Sequence, residues 1–443
     1  MTLDHTPDQL RKEIMDKVAE YYTVSFANRK KGFIHCSGKD FDAEELKSGV
    51  EAILDGWWTD GRFADRFIEE FRKVIPAKHV TLANSGSSAN LLALFSLTSH
   101  LIPEGRRLRP GDEVITLAAG FPTTVNPIIL AQCVPVFLDI EMDTLNIDTA
   151  QLEQALSPKT KAVFIAHTLG NPFPADKVRE FCTAHDLWMI EDCCDALGAT
   201  YLEKPVGTFG DLATFSFYPA HQITMGEGGA MVTDDDTLDK IAKSLRDWGR
   251  DCWCKTGRDN TCGMRFSHQQ GSLPFGYDHK YIYSHLGFNL KLTDMQAAIG
   301  YAQIQKLPLF LQKRRQHFQQ LAAFFSGHTN YFSFPKANGD PSWFGFTLTL
   351  RPGCPFTRNQ AIDYLQANGI GTRLVFGGNL TKQPYFRSSS VAYRAFPLPN
   401  TDYIMDNSFW IGVQPNLTDE DMARIIAVFA EFLQKYQPKR NDL

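Results

Sequence analysis

The sequence predicts an α/β protein, with a large domain on a mostly parallel sheet joined to a small C-terminal α+β domain. Two observations predict it. Between Val80 and Gly229, apolar runs at 114–117, 134–138, 162–166, 187–190 and 213–217 alternate with helix-length segments, the pattern of a parallel sheet covered on both faces. Beyond residue 311 the rhythm changes to one alternating strand at 344–350 followed by helices, which suits a separate, smaller unit. The 443 residues are also enough for two or three domains at about 150 residues each.

Taken in order, residues 1–55 read as an N-terminal helical segment, because Leu10, Ile14, Val18 and Tyr21 recur at helical spacing and predict a helix with one buried face. Residues 56–310 form the large domain. Within it, 251–278 is rich in Gly, Cys, Arg and Asn without periodicity, so a long loop is expected, and long loops in compact domains tend to be functional. Thr293-Asp294-Met295-Gln296 opens a helix that runs toward Arg314 and out of the large domain. Residues 311–443 form the small domain, where Thr357-Arg358-Asn359-Gln360 is a capping box that starts a helix. A last helix begins at Thr418 and buries Met422, Ile425, Ile426, Phe429 and Leu433.

Composition narrows the function. Apolar residues at 43% and charged residues at 21% exclude a disordered or rod-like chain. A net charge of −5, with no block of like charge, argues against nucleic acid and anionic membrane as partners. Met1-Thr2-Leu3-Asp4-His5 lacks the basic and apolar regions of a signal peptide, and no apolar run is long enough to span a bilayer, so a cytoplasmic protein is expected. Nine cysteines in such a chain point away from a disulfide framework and toward thiol or metal chemistry.

Four segments carry candidate chemistry. Asn84-Ser85-Gly86-Ser87-Ser88-Ala89-Asn90 follows an apolar run and precedes a helical one, so free amides and hydroxyls there make a phosphate cradle, although a serine-rich helix cap also accounts for it. Leu187 to Asp192 is a strand ending in Glu191 and Asp192, and sites in α/β sheets lie at the carboxyl ends of strands. Phe215-Ser216-Phe217-Tyr218-Pro219-Ala220-His221 and Gly226-Glu227-Gly228-Gly229 follow. Finally, Cys194, Cys252, Cys254 and Cys262 have the spacing C-x57-C-x-C-x7-C. Four thiolates hold zinc or an iron–sulfur cluster, and spacing alone does not choose between them.

The joint order of Glu191 to Ala199, Phe215 to Gln222, Gly226 to Gly229 and Gly287-Phe288-Asn289 through Ala298 resembles the sugar aminotransferase family of pyridoxal phosphate enzymes. That resemblance implies the aspartate aminotransferase-like fold of type I pyridoxal phosphate-dependent transferases. By position, it implies that Asp192 pairs with the pyridinium nitrogen, that Phe121 stacks on the ring, and that Gly86, Ser87 and Ser216 hold the phosphate. Asn289 matches a residue supplied from the neighbouring subunit, which implies a homodimer. Asp195 and Tyr218 flank these motifs as candidate catalytic groups that orient or carry protons.

Two departures shape the expected function. His221 stands where the family has its Schiff-base lysine; an imidazole forms no such base but does abstract protons near neutral pH. Together with the four cysteines, it is similar to the 3-dehydrase branch of the family, which uses pyridoxamine 5′-phosphate (PMP) and a 2Fe-2S cluster on nucleotide 4-keto-6-deoxy sugars. The resemblance therefore implies a dehydratase for CDP-4-dehydro-6-deoxy-D-glucose in 3,6-dideoxyhexose and lipopolysaccharide O-antigen biosynthesis. His221 is then the base and Cys194, Cys252, Cys254 and Cys262 are the metal ligands. It also implies a separate NADH-dependent iron–sulfur flavoprotein reductase, because no G-x-G-x-x-G opens a helix after a strand in this chain. Two alternatives stay open: a reductase-independent or dTDP-sugar dehydratase, and a non-catalytic, zinc-stabilised regulatory protein.

Overall fold

The computed structural model describes residues 5–27, 32–388 and 391–436; of the segment 1–55 read above, residues 1–4 and 28–31 lie outside the described residues. The centre is an eight-stranded sheet in the order His79–Ala83, Gly229–Thr233, Leu212–Ser216, Trp188–Asp192, Thr160–Ala166, Glu113–Leu117, Val134–Leu138 and Arg394–Ala395. Neighbours from Leu212–Ser216 to Arg394–Ala395 pair in parallel. Gly229–Thr233 runs antiparallel to both its neighbours. Its five residues are all buried, so packing prevails over the turn tendency of Gly228-Gly229.

Helices cover both faces. Trp188–Asp192 and Leu212–Ser216 are buried at every position, as the apolar runs required. The smaller antiparallel sheet has the order Phe332–Ser333, Gly345–Leu350, Ser408–Gly412, Thr372–Arg373. Its strand Gly345–Leu350 alternates in sequence yet is buried throughout, because both faces are covered. On it, the Phe346 ring lies 4.8 Å from Phe318 and 5.5 Å from Phe325 in the small domain's core. Thr349, also buried, satisfies its hydroxyl against Ser408 at 2.8 Å, so a polar residue sits there without the cost of an unpaired group.

Three elements differ from expectation. The helix Pro7–Ser25 buries none of its residues. It meets the helix Ala43–Leu54 through polar contacts such as Arg11 to Asp55 at 3.0 Å, leaving Leu10, Ile14 and Tyr21 exposed. The helix opened by Thr293 ends at Ile304, and a second, Leu307–Phe325, begins with a proline in its first turn, where the missing amide costs nothing. Residues 311–443 also contribute to both sheets, because Arg394–Ala395 pairs with Val134–Leu138 in the large one.

The 251–278 segment holds neither helix nor strand. His279 closes its base against Asp251 at 2.7 Å, and Lys255 reaches Asp65 at 2.9 Å. No helix among the described residues is long and apolar enough to cross a membrane.

Candidate active site at the carboxyl ends of the strands

A cleft of about 760 Å³ opens at the carboxyl ends of the parallel strands and is lined by Gly86, Ser87, Phe121, Asp192, Cys194, Asp195, Ser216, Tyr218 and His221. These residues are far apart in sequence. The sheet gathers them because Asp192 and Ser216 end adjacent strands while Gly86 begins the helix Gly86–Ser96.

At that helix start, the Ser85 side chain caps the amide of Ser88 at 3.1 Å. The Gly86 and Ser87 amides, which precede the first intrahelical bonds, are left for an anion. A Cβ on Gly86 would lie 2.4 Å from the Ser216 Cβ, so only glycine lets the cradle close on that strand.

Asp192 is fixed by three donors. Asn90 Nδ2 and Thr124 Oγ1 reach its Oδ2 at 2.8 and 2.7 Å, and the Cys194 amide reaches Oδ1 at 3.0 Å. Oδ1 keeps capacity for a further donor, as pairing with a ring N–H requires. Phe121 stands half exposed at the mouth, its ring 6.0 Å from Phe376. Asn90 and Thr124 escaped the sequence reading, because nothing local marks a partner 102 or 68 residues away.

His221 is nearly buried, and its Nδ1 has no hydrogen-bond partner. Asp195 Oδ1 is 3.5 Å from it, too far for a strong bond. Burial, helped by the Arg314 guanidinium, lowers His221 to about 3. Burial and the Asp192 carboxylate raise Asp195 to about 8. The contact is therefore one between neutral groups near pH 7 rather than an ion pair. Arg314, also buried, donates to the backbone oxygens of His221 at 2.9 Å and Trp343 at 3.2 Å, fixing the segment that carries the imidazole.

The other carboxylate of the pair has a structural task. Glu191 accepts from the amides of Gly207, Phe209 and Gly210 and from His167 Nε2. His167 Nδ1 accepts the Phe173 amide at 3.1 Å, so Nε2 carries the proton. Cys193 lies beside them, fully buried.

The residues present fit a pyridoxal-type cofactor: an anion cradle, a carboxylate with spare capacity, an aromatic ring and an unpartnered imidazole share one cleft. Asn289 does not line it and instead bridges Asp247. The cysteines divide. Cys194 lines the cleft, its Sγ 3.0 Å from where a Gly86 Cβ would stand. Cys254 accepts from Thr261 at 3.0 Å, and Cys262 accepts the Met264 amide at 3.4 Å, within the loop. Partial burial opposes ionisation of Cys254, but hydrogen bonds from Thr261, Cys252 and the Cys262 amide outweigh it and bring the thiol down to about 7. Cys252 borders a different, small cavity with Lys240, Ser244 and His285. Among the described residues, only His167, Glu191 and Cys193 bring three such ligand atoms within 4.8 Å of one another. Among those residues, a four-cysteine set is thus not assembled within one chain.

Known proteins share this architecture. The chain is 51% identical to the lipopolysaccharide biosynthesis protein RfbH of Salmonella typhimurium, covering 96% of this chain and 99% of that one. It is 48% identical to the dTDP-4-dehydro-2,6-dideoxy-D-glucose 3-dehydratase of Saccharopolyspora spinosa, covering 91% and 87%. The solved structure of E. coli GDP-4-keto-6-deoxy-D-mannose-3-dehydratase with bound hydrated PLP superposes with a TM-score of 0.80 at 27% identity, covering 90% and 100%. With residues 39–430 matching its pattern, the chain belongs to the DegT/DnrJ/EryC1/StrS aminotransferase family.

Proposed function

We propose that this protein is a PMP-dependent dehydratase that removes the carbon 3 hydroxyl of CDP-4-dehydro-6-deoxy-D-glucose in 3,6-dideoxyhexose and O-antigen biosynthesis. The observation that carries the reading is His221, an unpartnered imidazole in the cofactor cleft at the position of the family's lysine. Support also comes from relatives named for lipopolysaccharide biosynthesis and for sugar 3-dehydration.

When bound, the cofactor supplies an amine for the carbon 4 ketone and a conjugated ring that withdraws electrons from its own 4′ carbon. Gly86, Ser87 and Ser216 hold its phosphate, Asp192 holds the ring nitrogen and Phe121 covers the ring face. His221 takes the proton from the 4′ carbon as a neutral base, ready in that form because burial keeps it unprotonated. Tyr218 and Asp195, both beside the imidazole, orient substrate hydroxyls or carry protons. Phe344 and Trp410 wall the cleft with apolar surface, which limits water at the reacting carbon.

The reading extends to a 2Fe-2S cluster held by Cys194, Cys252, Cys254 and Cys262, and to a separate NADH-dependent iron–sulfur flavoprotein reductase. The protein with PMP and NADH alone is expected to accumulate no 3-deoxy sugar, and adding such a reductase to restore turnover. Sustained turnover without it contradicts the reading. Because the Saccharopolyspora relative is named for a dTDP sugar, the assay is run with both nucleotides, and a preference for dTDP replaces CDP in the proposal.

The choice of thiols is tested separately by iron analysis. Cys254→Ser is expected to lose the iron while keeping PMP, and Cys193→Ser, whose side chain lies in the core, to keep both. The reverse pattern means that the ligands are misassigned.

A further inference from the structure

The strand Thr372–Arg373 pairs antiparallel with Ser408–Gly412, placing Thr372 opposite Ile411 and Arg373 opposite Trp410. Residues directly opposite share a face of a sheet, and successive residues alternate between faces. Thr372 and Ile411 are accordingly buried, while Arg373 and Trp410 line the cleft. Trp410 stands 5.4 Å from Phe344, and Phe344 stands 5.2 Å from the His221 imidazole, centroid to centroid. Arg373 thus extends the wall that encloses the base. Its strand is held at both ends: the Gly371 amide donates to the Ile34 oxygen at 2.7 Å, and Trp410 Nε1 donates to the Leu374 oxygen at 3.0 Å.

Charge singles this residue out. Among the described residues, Arg373 is the one lysine or arginine that lines the cleft, where the carboxylates are Asp192, Asp195 and Glu227. Its side chain is exposed, and among those residues it enters no ion pair. Nη1 donates to the Thr372 oxygen at 2.9 Å, which leaves most of the five guanidinium donors for a ligand. Arg314, the guanidinium nearer the base, is buried and directs its donors to backbone oxygens. The Gly86 and Ser87 amides provide for one phosphate, that of the cofactor. A nucleotide sugar brings a second anion, its diphosphate, and a guanidinium fork matches phosphate oxygens two at a time.

We propose that Arg373 binds the diphosphate of the nucleotide-sugar substrate, so that the sugar lies between this guanidinium and His221. The inference rests on the nucleotide-sugar reading of the preceding section and is independent of the cluster. Arg373 touches the substrate away from the reacting carbons, so it sets affinity for the nucleotide and leaves proton transfer to the imidazole.

PMP-loaded protein, whose phosphate cradle is already filled, is titrated calorimetrically with CDP, dTDP and the matching nucleosides. The wild type is expected to bind a diphosphate more tightly than its nucleoside. Arg373→Gln is expected to weaken diphosphate binding by roughly 10–10²-fold, the scale of hydrogen bonds to a charged group, with nucleoside binding and PMP content unchanged. Arg373→Lys, which keeps the charge and loses the fork, is expected to fall between the two. Equal diphosphate binding by the wild type and Arg373→Gln overturns the assignment of Arg373 while sparing the nucleotide-sugar reading. A loss in Arg373→Gln that extends equally to the nucleoside does the same, because it marks a change of shape rather than of charge. A wild type that binds neither diphosphate better than its nucleoside overturns both.

Discussion

His221→Lys is expected to lose dehydration by roughly 10² or more, the scale on which a positioned general base contributes, and to gain covalent capture of pyridoxal phosphate. The imidazole is walled by Phe344, with ring centroids 5.2 Å apart, and its Nδ1 is free of other partners. A lysine there meets the cofactor carbonyl instead of a proton. The gain is read by borohydride reduction followed by mass spectrometry of the peptide. Wild-type protein that already carries reduced cofactor on a lysine contradicts the assignment. The pH dependence has a definite sign. Because burial lowers His221 to about 3, the base is free at every pH above that, and an acidic limb near neutral pH must come from another group. The unfolded chain binds this proton at about 6.5, so the burial of the neutral imidazole costs stability as pH falls below that value.

Asp192→Ala should be the most damaging substitution for cofactor retention. It removes the acceptor shared by Asn90, Thr124 and the Cys194 amide. Removing one partner from a buried charged network costs about 3–5 kcal/mol, or roughly 10²–10⁴ in affinity. Dialysis followed by the cofactor's absorbance measures this. Retention equal to wild type shows that Asp192 does not hold the ring.

Much of the fold was legible because the chemistry there is local. The apolar runs at 134–138 and 162–166 bury on both faces, the capping box at Thr357 starts its helix, and the last helix begins at Thr418 as read, where the structure adds a second box with Asp421. What escaped depends on contacts between distant residues. The stripe of Leu10, Ile14 and Tyr21 has helical spacing, yet it lines an open groove with Leu46 and Val50 and stays exposed among the described residues. Pro308 splits what reads as one helix. Cys194 and the loop cysteines share a spacing pattern, yet a spacing does not say whether its members meet, and here Cys194 lines the cleft while Cys252 borders another cavity. Glu191 and Asp192 look alike in sequence, and only their partners, backbone amides for one and an open cleft for the other, separate structure from site.

The central claim is that the cleft removes the carbon 3 hydroxyl using His221, and exchange of that oxygen with solvent tests it most directly. The protein is incubated with PMP and CDP-4-dehydro-6-deoxy-D-glucose in ¹⁸O-water without a reductase, and the label is located by ¹³C NMR isotope shift. Label at carbon 3 is expected with the wild type and not with His221→Asn. No label at carbon 3 in the wild type, with a 4-amino sugar formed when glutamate is added, contradicts the account.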